Sequence, residues 1–248
     1  MGKRITDQIK RDIHRVFITE KGRKLMCGRY SFSKPEDIKE RFDLVQLEFE
    51  FGPRYNIAPS QTVPVVIQQN GCNRLLMLRW GLIPYWAKDM SIGSKLINAR
   101  AETLEEKPSF RKSLEQKRCL VLADGFYEWK KEGRVKKPFR ITLQDGRPFA
   151  FAGLWDSWLS PTGQTINSCV IITTTPNKLM EPIHNRMPVI LPQNMESLWL
   201  DADVTSSREV KGLLRPSPAE GMVAYEVSPI NSPHNDIPEC VIPVSRLF

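Results

Sequence analysis

Apolar and polar side chains alternate over Val63–Gln68 and again over Arg74–Trp80, with Asn70-Gly71 between the two runs. A period of two belongs to a strand with one buried face, and Asn-Gly is the turn pair of a tight hairpin. The first prediction is therefore a hairpin. Cys119–Leu122 is uniformly apolar and predicts a buried strand. Cys169–Thr174, rich in β-branched residues, predicts another. Lys137–Leu143 and Pro148–Trp155 flank Asp145-Gly146 and predict a second hairpin, and Met222–Val227 predicts a last strand. Ser33 followed by Glu36 reads as a capping box opening a helix over 34–42. Residues 103–116, around Pro108, also read as helical. So do 193–200 and 206–214, the last opened by Ser206 and Glu209. Gly52-Pro53 and Ala58-Pro59 interrupt regular structure, and 81–100 reads as a long irregular stretch. Strands outnumber helices without alternating with them. The expected fold is therefore α+β, with a strongly bent mixed or antiparallel sheet or barrel-like core and short peripheral helices.

Composition narrows the class. With 248 residues and 41% hydrophobic positions, the chain can bury a substantial core without disulfides or metals, and one domain is expected. No stretch of eighteen apolar residues occurs, and the N-terminus has charges where a secretory signal would need an apolar core. A soluble, cytoplasmic protein without membrane contact is expected. The five cysteines, Cys27, Cys72, Cys119, Cys169 and Cys240, are odd in number and widely spaced, and only three histidines accompany them. That favours neither a disulfide framework nor a metal site. Glycine-rich nucleotide loops and zinc-protease motifs are also missing, so no cofactor is expected.

Charge adds a partial signal. The formal net charge is +8, but residues 1–26 carry eight Lys/Arg against three Asp/Glu and account for +5 of it. The remainder concentrates in residues 111–140, where Arg111, Lys112, Lys117, Arg118, Lys130, Lys131, Arg134, Lys136, Lys137 and Arg140 stand against four acidic residues. Such a run reads either as a solvated surface with a Lys-rich hairpin turn or as a local face that neutralises phosphates.

Chemistry-bearing residues gather in short blocks where periodicity fails: Cys27-Gly28-Arg29-Tyr30, Tyr55-Asn56-Ile57-Ala58-Pro59, Asn98-Ala99-Arg100-Ala101-Glu102, Asp124-Gly125-Phe126-Tyr127-Glu128-Trp129 and His184-Asn185-Arg186-Met187-Pro188. Loops of this kind commonly carry sites. Each residue also has a plain structural reading. Cys27 is a small buried hydrophobe, Glu128 the exposed position of a strand edge, His184 a hydrogen-bonded structural histidine, and Asn98 a turn former.

Taken together and in this order, the blocks resemble the SOS-response-associated peptidase family, which includes bacterial proteins and eukaryotic abasic-site shield proteins. The matching text also includes Trp80-Gly81-Leu82-Ile83-Pro84, Phe151-Ala152-Gly153-Leu154-Trp155 and Ile172-Thr173-Thr174-Thr175-Pro176-Asn177, and the resemblance covers 26–230. It implies that Cys27, as the first residue of the mature chain, bonds covalently to abasic sites in single-stranded DNA. An α-amine with a pKa of about 7.7–8.0 is partly unprotonated at neutral pH and attacks the open-chain aldehyde. The thiol of the same residue then closes a thiazolidine. The resemblance further implies that Glu128 is the general acid/base, that Asn98 holds the N-terminal residue and the sugar, and that His184 protonates the sugar oxygen. Thr173 would help bind substrate, Arg29, Arg100 and Arg186 would contact phosphates, and Pro59 and Trp129 would pack against bases. Leu122 departs from the family's usual proline.

Residues 1–26 precede the cysteine and block its amine, so 27–248 is expected to be the working domain. Three readings account for them. The preferred one is translation starting at Met26, since Lys21-Gly22-Arg23-Lys24 back-translates to a purine-rich string resembling a ribosome-binding site. The others are a pro-segment removed by self-cleavage at Met26–Cys27 and a basic DNA-binding arm. Two other functions remain open: a non-covalent single-strand-binding module, and a cysteine peptidase acting in trans through Cys27 and His184. A monomer is expected.

Overall fold

The computed structural model describes residues 28–36, 38–47, 50–204, 207–230 and 232–244. Twelve strands are present among them: β1 (Arg29–Phe32), β2 (Arg54–Ile57), β3 (Thr62–Gln69), β4 (Cys72–Trp80), β5 (Asn98–Arg100), β6 (Arg118–Ala123), β7 (Gly125–Glu132), β8 (Val135–Leu143), β9 (Phe149–Leu159), β10 (Thr165–Thr174), β11 (Met187–Pro188) and β12 (Met222–Glu226). The helices are short: α1 (Ile38–Arg41), α2 (Pro108–Gln116), α3 (Glu196–Leu200) and α4 (Ser207–Gly212).

Five strands close on themselves. β10 pairs in parallel with β4, then β4 with β3, β3 with β6, β6 with β9 and β9 back to β10, all four antiparallel. Closure removes the sheet edge and leaves every strand with two neighbours. It also crowds the wall. A methyl group at Gly153 on β9 would meet Cys119 Sγ and Val121 Cγ2 at 2.9 Å, so only glycine fits there. A second, antiparallel sheet of order β12-β8-β7-β1-β2 packs against this barrel. Its Tyr30 ring stands edge-on to Trp80 at 5.3 Å and to Phe151 at 5.7 Å, and Phe126 meets Phe151 at 6.1 Å.

The α+β, barrel-cored fold expected from the pattern is the one observed, and the Asn70-Gly71 hairpin forms with both turn residues at positive φ. The second expected hairpin does not form. Strands do flank Asp145-Gly146, but β8 pairs with β7 and β12 while β9 pairs with β6 and β10. The turn is a corner between the two sheets, because both edges of each strand are taken by other partners, β7 and β12 for β8 and β6 and β10 for β9.

The capping box is also absent. The Ser33 hydroxyl and N–H both donate to the Asp124 carboxylate at 2.6 Å, and the helix shrinks to Ile38–Arg41. Residues 81–100 contain a 3-10 helix, Met90–Lys95, and β5. The helix expected over 103–116 begins at Pro108, and the one over 193–200 is a 3-10 turn followed by α3. Ser206, the proposed cap of the last helix, lies outside the described residues.

Candidate functional site

Where β7 meets the loop between β10 and β11, two titratable side chains come together in the interior. Glu128 is 3% exposed and His184 7% exposed, and Glu128 Oε1 stands 4.0 Å from His184 Nδ1. The plain reading of Glu128 as an exposed strand-edge residue is therefore wrong. β7 is flanked by β8 and β1, so both its edges are occupied. Alternation turns Glu128 to the same face as Phe126, toward the main core, and turns Tyr127 and Trp129 the other way.

His184 is fixed by its own loop. Its N–H donates to Met180 O at 2.8 Å, and Nδ1 stands 3.2 Å from Arg186 N and 3.3 Å from Arg186 O. Arg186 anchors the loop in turn. Its guanidinium donates to both carboxylate oxygens of Glu102, at 2.5 and 2.8 Å, and to Thr173 O at 2.7 Å. The Arg186 hydrogen bond holds the Glu102 carboxyl below its ordinary pKa.

β5 brings up two more candidates. Asn98 lies opposite Ile171 and Arg100 opposite Thr173 on β10, so Asn98 is a strand residue and not a turn former. Thr173 is fully buried with Oγ1 3.4 Å from Ala99 O, whereas Arg100 is exposed.

On the other side, Arg29 of β1 pairs with Tyr127, the neighbour of Glu128. Its guanidinium donates to Asn56 Oδ1 at 2.6 Å, and burial lowers its pKa, with a smaller opposing effect from the Cys240 thiol. Asn56 is held by the C-terminal segment, donating to Ser232 O at 2.7 Å and Asn235 O at 2.9 Å. Asp236 accepts from the N–H groups of Tyr55 and Asn56, at 2.5 and 2.8 Å, and from Arg54 Nε at 2.5 Å.

The sequence-predicted residues thus fall into groups. Glu128 and His184 meet directly, Thr173 and Arg186 adjoin them, Asn98 and Arg100 line up along β10, and Arg29 approaches from β1. Pro59, half-buried, lies two residues past Ile57, the partner of Tyr30. Trp129 is half-buried in the separate cluster of Tyr127, Val227 and Ile230. Cys27 and Met26 lie outside the described residues. Sequence reasoning missed Glu102, Asn56 and Asp236 as supports. Glu102 and Asn56 stand inside quoted blocks, and Asn235-Asp236 has a turn-like composition, but nothing local names their distant partners.

Among the described residues no three His, Cys, Asp or Glu side chains group as a metal site, and no helix is long and apolar enough to cross a membrane.

The family profile of SOS response associated peptidase (SRAP) matches residues 26–232. Abasic site processing protein YoqW of Bacillus subtilis strain 168 is 52% identical over 221 residues, covering 87% of this chain and 99% of that one. Abasic site processing protein HMCES of Gallus gallus is 34% identical over 231 residues, covering 79% of this chain and 68% of that one. A crystal structure of a Bacteroides thetaiotaomicron protein superposes with a TM-score of 0.81 at 32% identity, covering 88% of this chain and all of that one. A Bordetella bronchiseptica protein gives 0.71 at 26% identity, covering 82% of this chain and all of that one. With a profile match over most of the chain, a half-identical relative and a shared barrel, this chain belongs to the SOS response associated peptidase family.

Proposed function

We propose that the chain processes abasic sites in single-stranded DNA by forming a covalent crosslink through Cys27 once residues 1–26 are gone and residues 27–248 act as one domain. The observation that carries this reading is the buried Glu128–His184 pair set beside β1, the strand that leads back to Cys27. Continuing the Arg29↔Tyr127 register by one residue brings Gly28 level with Glu128, and among the described residues no atom comes within 4 Å of a methyl group placed on Gly28. Cys27 is the residue bonded to Gly28 in the sequence. The relatives named as abasic site processing proteins supply the substrate class.

The steps balance without a cofactor. The unprotonated α-amine of Cys27 adds to the sugar aldehyde, and the carbinolamine loses water to give an imine. The thiol adds across that imine, its sulfur bonding to carbon and its proton passing to nitrogen, and a five-membered thiazolidine results. Ring closure is intramolecular, where effective molarities reach about 10⁵ M or more. Glu128 takes the proton from the attacking amine and returns it to the departing hydroxyl. His184 donates a proton to the sugar ring oxygen as the aldehyde opens. Asn98 holds the first residue and the sugar. Thr173 supports the substrate, and Arg29, Arg100 and Arg186 face the phosphates, a sequence-independent and salt-sensitive mode of binding. Pro59 and Trp129 pack against the flanking bases. An amine blocked by residues 1–26 cannot begin this sequence, so the full-length chain binds without crosslinking; a free Cys27 amine comes from opening the Met26–Cys27 bond, or from translation at Met26 followed by removal of that methionine.

The test uses protein beginning at Cys27 and a uracil-containing single strand treated with uracil-DNA glycosylase. An SDS-resistant, heat-stable adduct that disappears with Cys27→Ala is expected. Absence of the adduct from protein with a verified N-terminal Cys27 overturns the proposal.

A further inference from the structure

The basic run over 111–140 is divided by the fold into used and unused charges. Arg118 is buried and donates to the carbonyls of Leu114, Trp199 and Val204. Arg140 is buried against Asp124 at 2.8 Å, and Lys117 is paired with Asp156 at 2.6 Å. Lys112 lies over the Tyr85 ring, 4.5 Å from its centroid. On the β7–β8 hairpin, Lys130 and Lys137 both reach Glu132 at 3.0 Å. Arg111 on α2 and Lys131, Arg134 and Lys136 on the hairpin remain. All four are exposed, and no carboxylate among the described residues pairs with them.

Lys131 and Lys136 are direct cross-strand partners. Opposed residues in an antiparallel pair hold their Cβ atoms about 4.5–5.5 Å apart, and like charges there destabilise the ladder. Both side chains are exposed, so no apolar burial offsets the repulsion. An anion between them would. The two faces of the hairpin differ in this respect. Lys130 and Lys137 share the face of Glu128, where the protein supplies its own anion in Glu132. Lys131 and Lys136 share the face of Trp129 and Pro138, where it supplies none. Two strand steps, about 7 Å, separate Trp129 from Lys131. The hairpin is a short, fixed projection, closed by the two-residue turn Gly133-Arg134 with Gly133 at φ 62°.

We propose that Lys131 and Lys136, with Arg134 at the turn, form a phosphate-binding finger that takes two backbone phosphates of single-stranded DNA beyond the base packed on Trp129. This extends the proposed function and rests on it. The finger adds electrostatic affinity outside the lesion and takes no part in the covalent chemistry.

The experiment measures binding of the full chain to a lesion-free oligothymidylate by fluorescence anisotropy as salt is varied. Each phosphate contact with a single strand contributes about 0.7 to the slope of log K against log salt. Replacing both lysines, K131Q with K136Q, is expected to make the slope shallower by about 1.4. Between about 50 and 200 mM salt that narrows the affinity gap to wild type roughly sevenfold. K131R with K136R keeps the wild-type slope. A glutamine variant with an unchanged slope overturns the finger, and an arginine variant as shallow as the glutamine one assigns the effect to the hairpin's fold and overturns it too. A wild-type chain that binds no DNA overturns the proposed function and the finger with it, an outcome distinct from binding with an unchanged slope.

Discussion

Arg186 grips the Glu102 carboxylate with both terminal nitrogens, across 84 residues of sequence, and so fastens the loop of His184 to the turn that follows β5. Glu102 is 46% exposed at its side chain and Arg186 only 11%, which makes the clamp a partly screened lid on a buried pair. Glu102→Gln is expected to cost no more than about 1 kcal/mol of stability, the range of exposed ion pairs. Its larger effect is a severalfold slower crosslink, because the imidazole loses its fixed position.

The same clamp predicts a pH signature. Arg186 depresses the folded-state pKa of Glu102, so its stabilisation is fully present above the unfolded pKa, about 4.3, and is lost as pH falls through the lower folded value. The melting-temperature gap between wild type and Glu102→Gln should stay constant from neutral pH to about 5 and close below the ordinary glutamate range. A gap that widened on acidification would contradict the assignment.

Glu128→Gln keeps the shape of the side chain but removes its capacity to accept a proton. Adduct formation by protein beginning at Cys27 should slow by about 10²–10⁴, the usual contribution of a positioned acid/base, while affinity for lesion-free single strands is retained. Single-turnover crosslinking and anisotropy on the same preparation separate the two effects.

Asp124 carries the join between the sheet bearing Glu128 and the segment after β1. Its carboxylate accepts from Ser31 Oγ at 2.7 Å, from Ser33 N and Oγ at 2.6 Å and from Arg140 Nη2 at 2.8 Å. Burial draws the Arg140 pKa down, but Asp124, Tyr225 and Tyr127 outweigh it. Asp124→Ala leaves a buried guanidinium without its carboxylate and should cost about 3–5 kcal/mol. In a domain of this size that is a fall in Tm of roughly 6–20 °C by calorimetry.

Gly153→Ala forces a methyl group against Cys119 Sγ, Val121 Cγ2 and Val170 O. Overpacking of this kind costs about 1–3 kcal/mol. Adding Cys119→Ala to Gly153→Ala removes one of the clashing atoms, so denaturant titrations should show the double variant losing less than the sum of the two single ones.

The amino-acid order alone determined the class of the fold, the Asn70-Gly71 hairpin and the buried strands at 119–122 and 169–174, and it singled out the blocks from which the candidate site is proposed. Periodicity, turn chemistry and local motifs are properties of neighbouring residues, and neighbours are visible in sequence. The tertiary structure alone decided that the strands around Asp145-Gly146 serve different sheets, that Ser33 bonds Asp124 instead of capping a helix, and that Glu128 is buried beside His184. It also decided which cations of the 111–140 run are neutralised internally and which stay free on the hairpin. The Ser33–Asp124 and Glu128–His184 contacts and the β8–β12 and β6–β9 pairings each join residues tens of positions apart, and pairing over such distances leaves no local pattern to read.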